Sequence, residues 1–118
     1  FQRLVRKVPV SEPVLRYAVA LTRASRPDPE GGEELEFVRR WVSYGAPVRA
    51  AQYLTLGGKA RALTRGRTHV SFEDIRALAH PVLRHRVLLN FHAESERVTT
   101  DQVIDRLLEA VPTPKSGL

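Results

Sequence analysis

Hydrophobic positions recur at helical spacing along most of this chain, and three of the periodic stretches open the same way. Val10-Ser11 precedes Val14-Leu15, Val70-Ser71 precedes Asp74-Ile75, and Val98-Thr99 precedes Gln102-Val103. In each, the Ser or Thr can cap the first free backbone N–H groups of a helix, which is worth about 1 kcal/mol. The valine before it can pack on Leu15, Ile75 or Val103 as a hydrophobic staple, and Asp74 and Gln102 complete capping boxes. Helix starts near residues 11, 71 and 99 follow. The first helix carries Val14, Ala18 and Leu21 with Leu15, Val19 and Thr22 as its apolar stripe. It must stop by Arg26, because Pro27 and Pro29 bar further helix.

Residues 27–34 read as an acidic, Pro/Gly-rich loop, expected to be mobile. A short helix over Leu35 to Val42 follows, with Phe37, Val38 and Trp41 on one side. The longest helix is predicted from Pro47, a residue favoured at the first helical position, to about Thr64, with Gly66 placed to end it. Its expected stripe is Tyr53, Leu56, Ala60 and Leu63. Gly57-Gly58 within it costs about 1 kcal/mol per glycine relative to alanine, which either a close helix–helix approach or a kink would explain. Leu83 to Phe91 reads as a helical turn and then a short extended segment near 86–90. The closing helix runs from Thr99 to about Ala110, burying Val103, Ile104, Leu107 and Leu108. The expected fold is all-α, a small bundle of about four to five helices over 9–111, with a flexible tail at 112–118.

Composition narrows the classes. The chain has 118 residues, enough for one domain, and aromatics make up only 7%, which suits packed aliphatic helices. It has no cysteine, which excludes disulfides and thiolate chemistry. No run approaches the roughly 20 apolar residues of a membrane span, and a cytoplasmic setting is the expectation. A net charge of +6 invites a nucleic-acid reading. The basic residues spread along the whole chain without aromatic interleaving, so a basic nucleic-acid-binding module is kept only as an alternative.

Catalysis by this chain alone is not expected. Gly58-Lys59 is followed by Ala60 and lies within a helix, so it is no phosphate-binding loop. His69, His80, His85 and His92 show no metal spacing. His69 and His92 are expected in solvent, His80 at a helix end, and His85 as a hydrogen-bonded structural histidine. The carboxylates Asp28, Glu30, Glu33, Glu34 and Glu36 read as a solvated charge run. Tyr44-Gly-Ala-Pro-Val-Arg-Ala50 is different, because it sets Arg49 in the opening turn of a helix. A helix N-terminus carries roughly +0.5 of a charge and unpaired donors, so a cation there is badly placed for stability and well placed for an anion such as phosphate. Two readings stay open for it: a surface arginine paired with a nearby carboxylate, or one arginine of a phosphate site completed elsewhere.

The chain resembles the C-terminal helical lid of MoxR-family AAA+ ATPases. The resemblance runs through Val8-Pro-Val-Ser, Leu21-Thr-Arg-Ala-Ser-Arg-Pro, Tyr44-Gly-Ala-Pro-Val-Arg-Ala and Lys59-Ala-Arg-Ala-Leu. Gly66-Arg67, Val70-Ser-Phe-Glu-Asp-Ile, Val82-Leu-Arg-His-Arg and Ala110-Val-Pro extend it. It implies that Arg49 is the sensor 2 arginine reaching the γ-phosphate of ATP, with Gly45, Ala46 and Pro47 near the nucleotide. It implies that residues 1–8 end a linker from an ATPase core carrying the Walker motifs, and that ATP and Mg2+ belong to that parent rather than to this fragment. It implies a homo-oligomeric, hexameric ring with chaperone-like remodelling or cofactor-insertion activity, beside a von Willebrand factor A-domain protein. A protein-interaction bundle without ATPase coupling is the other alternative. The family usually has Gly-Ala-Ser-Pro-Arg-Ala. Here Val48 separates Pro47 from Arg49, and with Pro47 at the first helical position the arginine turns about 100° around the helix.

Overall fold

The structure, a computed structural model, describes Leu4 and residues 7–114. Residues 1–3, 5, 6 and 115–118, and with them parts of the expected linker and tail, lie outside the described residues. Helix α1 spans Glu12–Ala24, a 3-10 turn Glu33–Leu35 leads into α2 (Glu36–Trp41), and β1 covers Val42–Tyr44. Then come α3 (Arg49–Thr64), α4 (Phe72–Leu83), β2 (Leu88–Leu89), α5 (Phe91–Ser95) and α6 (Thr100–Ala110). The all-α expectation holds, with the addition of a two-stranded antiparallel ribbon in which Val42 pairs with Leu89 and Tyr44 with Leu88. The extended segment near 86–90 is thus β2. Its partner strand and the short α5 carried no periodic signal.

The caps explain most of the boundaries. The Ser71 and Thr99 hydroxyls accept from the Asp74 and Gln102 amides, and both capping boxes are complete. Ser11 sits at the cap of α1, but its side chain makes no capping bond. Leu15 is 45% exposed while Val14 is buried, so the staple expected there gives way to Val14 facing the core. At the end of α3, the Arg67 N–H bonds the Ala62 carbonyl (2.9 Å) and the Gly66 N–H bonds that of Leu63 (3.1 Å). Gly66 has φ +72°, the left-handed cap that glycine adopts without steric cost.

Helix α3 corrects the expected stripe. Tyr53 and Leu56 are a little under half exposed, and the buried line is Ala50, Leu54, Gly58 and Ala62. Small residues fill it because α4 comes very close. A Cβ on Gly57 would meet Leu78 Cδ1 at 2.7 Å, and one on Gly58 would meet Val70 Cγ1 at 3.1 Å. Close approach, not a kink, accounts for Gly58, whose neighbours Val70 and Ile75 are both buried, while Gly57 meets only the Leu78 side chain. Tyr53 instead lies under the Arg86 guanidinium, 4.6 Å from its ring centre.

Asp74 fastens this helix pair. Its fully buried carboxylate takes hydrogen bonds from Arg61 of α3 (2.6 Å), from Arg67, and from the Ser71 N–H (2.8 Å). Burial alone would raise its pKa, but the Ser71 amide and hydroxyl and the two guanidiniums outweigh that and hold the carboxyl below its ordinary value. Leu21, Leu54, Ile75, Leu83, Ile104 and Leu107 are fully buried in one continuous core, each contributing about 1.5–3 kcal/mol of burial. Tyr17 of α1 packs edge-on to Phe72 of α4, and Arg76 bonds both the Tyr17 hydroxyl and the Leu108 carbonyl, joining α1, α4 and α6. Burial pushes the Tyr17 hydroxyl's pKa up, against the lowering effect of Arg76.

The acidic loop is more organised than its composition suggests. Arg39 reaches back from α2 and donates to the carbonyls of Asp28, Gly31 and Gly32. The backbone there is held by an internal cation. His80, in the last turn of α4, has Nδ1 3.2 Å from Asp101 and Nε2 2.8 Å from Asp105, across to α6. His85, expected to be hydrogen-bonded, is exposed and has no hydrogen bond among the described residues. The segment around it turns outward once Leu83 and Val87 have taken the buried places.

Candidate functional site

The segment leading to Arg49 is built against the end of α1. Ser25, directly after α1, is completely buried. Its hydroxyl donates to the Thr22 carbonyl (2.7 Å) and accepts from the Ala46 N–H (3.0 Å). Thr22, also buried, donates to the Ala18 carbonyl at 2.9 Å. A Cβ on Gly45 would collide with the Ser25 carbonyl and come within 2.5 Å of the Arg26 Cα. Only glycine lets the two backbones lie this close. Ala46 is fully buried, so of the predicted nucleotide-proximal residues it is the one facing the core. Pro47 is exposed, and Gly45 is partly buried.

After Ala46 the chain turns outward. Val48 already has helical dihedrals (φ −53°, ψ −32°), and the Ala50 N–H bonds the Pro47 carbonyl at 2.8 Å. Regular helix begins at Arg49, two residues later than expected, after a tighter turn that starts at Pro47. Arg49 and Val48 are exposed, and Ala50 is buried. No acidic residue stands in this first turn and no side chain caps it. The N–H groups of Val48 and Arg49 have no partner among the described residues, and neither has the Arg49 guanidinium. The alternative of a surface arginine paired with a carboxylate is therefore not what the fold forms. Beside this turn, Leu15 and Val19 of α1 face Val48, Ala51 and Leu56 across an open apolar groove of about 480 Å³.

Other arginines are spent inside the domain. Arg61 and Arg67 meet Asp74, Arg40 meets Glu96 (3.0 Å), and Arg106 lies 4.5 Å from the Phe37 ring centre. Much of the positive charge therefore serves packing rather than a single basic face. Among the described residues, no group of three or more His, Asp or Glu side chains could hold a metal ion, and no helix is long and apolar enough to cross a membrane. Ser25 was missed by the sequence reading. Its partner lies 21 positions away, and a serine after a helix and before Arg-Pro looks like an ordinary terminator.

Residues 38–107 match the family model of the AAA lid domain. The chain is 31% identical to the protein named chaperone MoxR1 of Mycobacterium tuberculosis over 106 residues, which is 90% of this chain and 28% of that protein. It is 31% identical to the protein MoxR of Paracoccus denitrificans over 84% of this chain and 30% of that one. A crystal structure of a protein assigned as an ATPase from Cytophaga hutchinsonii superposes with a TM-score of 0.87 at 36% identity. It covers 96% of this chain and 34% of that one. The chain thus spans about a third of the length of these relatives.

Proposed function

The chain belongs to the AAA lid domain family, and on that premise we propose that it serves as the lid of a MoxR-like AAA+ ATPase and supplies Arg49 as the sensor 2 arginine. The observation that carries this reading is the exposed, unpaired Arg49 beside free amides in the uncapped first turn of α3. A guanidinium there can donate two parallel hydrogen bonds to γ-phosphate oxygens and stays charged at any working pH. Charge spread over those oxygens during phosphoryl transfer is stabilised by such a donor, and losing the phosphate would release the lid. Gly45, Ala46 and Pro47 bring the backbone to the nucleotide and set the arginine's direction. ATP is held chiefly by the core of the parent protein, and the carboxylates for Mg2+ come from that core. The parent works as a hexameric ring in chaperone-like remodelling, in the cytoplasm, with a von Willebrand factor A-domain protein as partner.

The test is Arg49→Ala in the full-length protein. ATP turnover is expected to fall at least about tenfold with the fold and the ring intact. Unchanged turnover would overturn the assignment. The nucleic-acid alternative loses ground because so many arginines are engaged internally. Binding that weakens steeply with salt in a DNA titration would restore it.

A further inference from the structure

We infer that Ser25 is the positioning residue for Arg49, an inference that rests on the sensor reading of that arginine. The Ser25 hydroxyl uses both its donor and an acceptor position. It has one proton and gives it to the Thr22 carbonyl at 2.7 Å, and it takes the Ala46 N–H at 3.0 Å. With no exposed surface, both bonds are made away from competing water. Ala46 is three residues before Arg49, and Gly45 presses its backbone on the Ser25 carbonyl. The Arg49 turn is therefore fixed to the end of α1 by one hydrogen bond and one backbone contact, both centred on Ser25.

Little else holds the turn that carries Arg49. It has no side-chain cap, no acidic residue and no ion pair on Arg49 among the described residues. On the N-terminal side, β1 stops at Tyr44, whose side chain is 70% exposed. Between the end of β1 and the first helical bond of α3, the Ser25–Ala46 bond is the one hydrogen bond that the segment makes among the described residues. Without it the segment keeps its ends but loses its pin, and the guanidinium samples directions that miss a phosphate. Misplacement of about 1 Å is enough to cost on the order of a hundredfold in a positioned reaction.

The experiment uses the full-length ATPase with Ser25→Ala, Gly45→Ala and Arg49→Ala, alone and with each of the first two combined with the third. Turnover and the preference for ATP over ADP in equilibrium binding are measured together. Ser25→Ala and Gly45→Ala are each expected to lower turnover about tenfold and to shrink the ATP preference toward that of Arg49→Ala. In the Arg49→Ala background, adding either should change turnover by less than about twofold, because the group they position is gone. A residue with only a structural role would lower ADP and ATP binding alike, and its effect would persist beside Arg49→Ala; either result overturns the inference. Should Ser25→Ala not fold, Gly45→Ala tests the same contact from its other side. If Arg49→Ala alone changes neither quantity, the sensor reading fails first, and the single variant reveals it.

Discussion

Replacing Asp74 by asparagine should loosen α3 from α4 without changing the shape of the side chain. The carboxylate is fully buried and accepts from Arg61, Arg67 and the Ser71 N–H. Breaking a buried ion pair costs about 3–5 kcal/mol. The amide keeps an acceptor for the Ser71 N–H, so most of the roughly 1 kcal/mol of capping survives. The guanidinium side chains are 24% and 34% exposed, so water recovers part of their solvation. The expected loss is thus about 2–3 kcal/mol, a fall in Tm on the order of 10 °C for a domain of this size. The sign with pH follows from the lowered pKa of Asp74. Its contribution is fully present above the unfolded value of about 3.9 and disappears as pH falls through the folded value. Urea unfolding followed by circular dichroism at several pH values reads both effects. The wild type should lose its advantage over Asp74→Asn progressively below about pH 4. A loss smaller than about 0.5 kcal/mol at neutral pH, or a gap that persists undiminished in acid, would refute the reasoning.

Glycines give opposite expectations according to their surroundings. Gly57→Ala should stabilise by about 0.5 kcal/mol, because helix propensity gains and the end of the partly buried Leu78 side chain can move aside; a destabilised variant in thermal melts would mean that Leu78 cannot yield. Gly66→Ala should cost about 1 kcal/mol although nothing lies within 4 Å, since φ +72° strains any side chain. Arg97 sits at φ 60° in the same kind of cap at the end of α5, with the Val98 N–H on the Ala93 carbonyl. Arg97→Gly should therefore raise stability by roughly 0.5–1 kcal/mol, measured by urea midpoint. In all three, ATP turnover of the parent should be unaffected, because the substitutions lie away from the Arg49 turn.

Local chemistry was legible wherever a few neighbouring residues decide the outcome. Ser71 with Asp74, Thr99 with Gln102 and Gly66 after α3 mark helix ends through bonds spanning at most five residues, so the sequence displays them. The same holds for Pro27 ending α1 and for Arg49 opening α3. The buried stripe of α3 was misjudged because size is a poor guide where two helices nearly touch. There α4 selects Ala50, Leu54, Gly58 and Ala62 and leaves Tyr53 and Leu56 to the surface. Asp74 looked like a capping residue alone, since its arginines come from the other helix and from the connecting loop. The ribbon of β1 and β2 joins segments more than 40 positions apart, and two to three residues are too few to show a period.

What the sequence determined by itself is a helical lid with Arg49 at the start of its longest helix. Only the tertiary structure decided how that arginine is held. The Leu21–Pro27 and Tyr44–Ala50 motifs appear as separate stretches in the chain, and in the fold they are one unit, joined where the Ser25 hydroxyl takes the Ala46 N–H and Gly45 lies on the Ser25 backbone. A hydrogen bond across 21 positions depends on where α1 ends relative to β1, and packing fixes that.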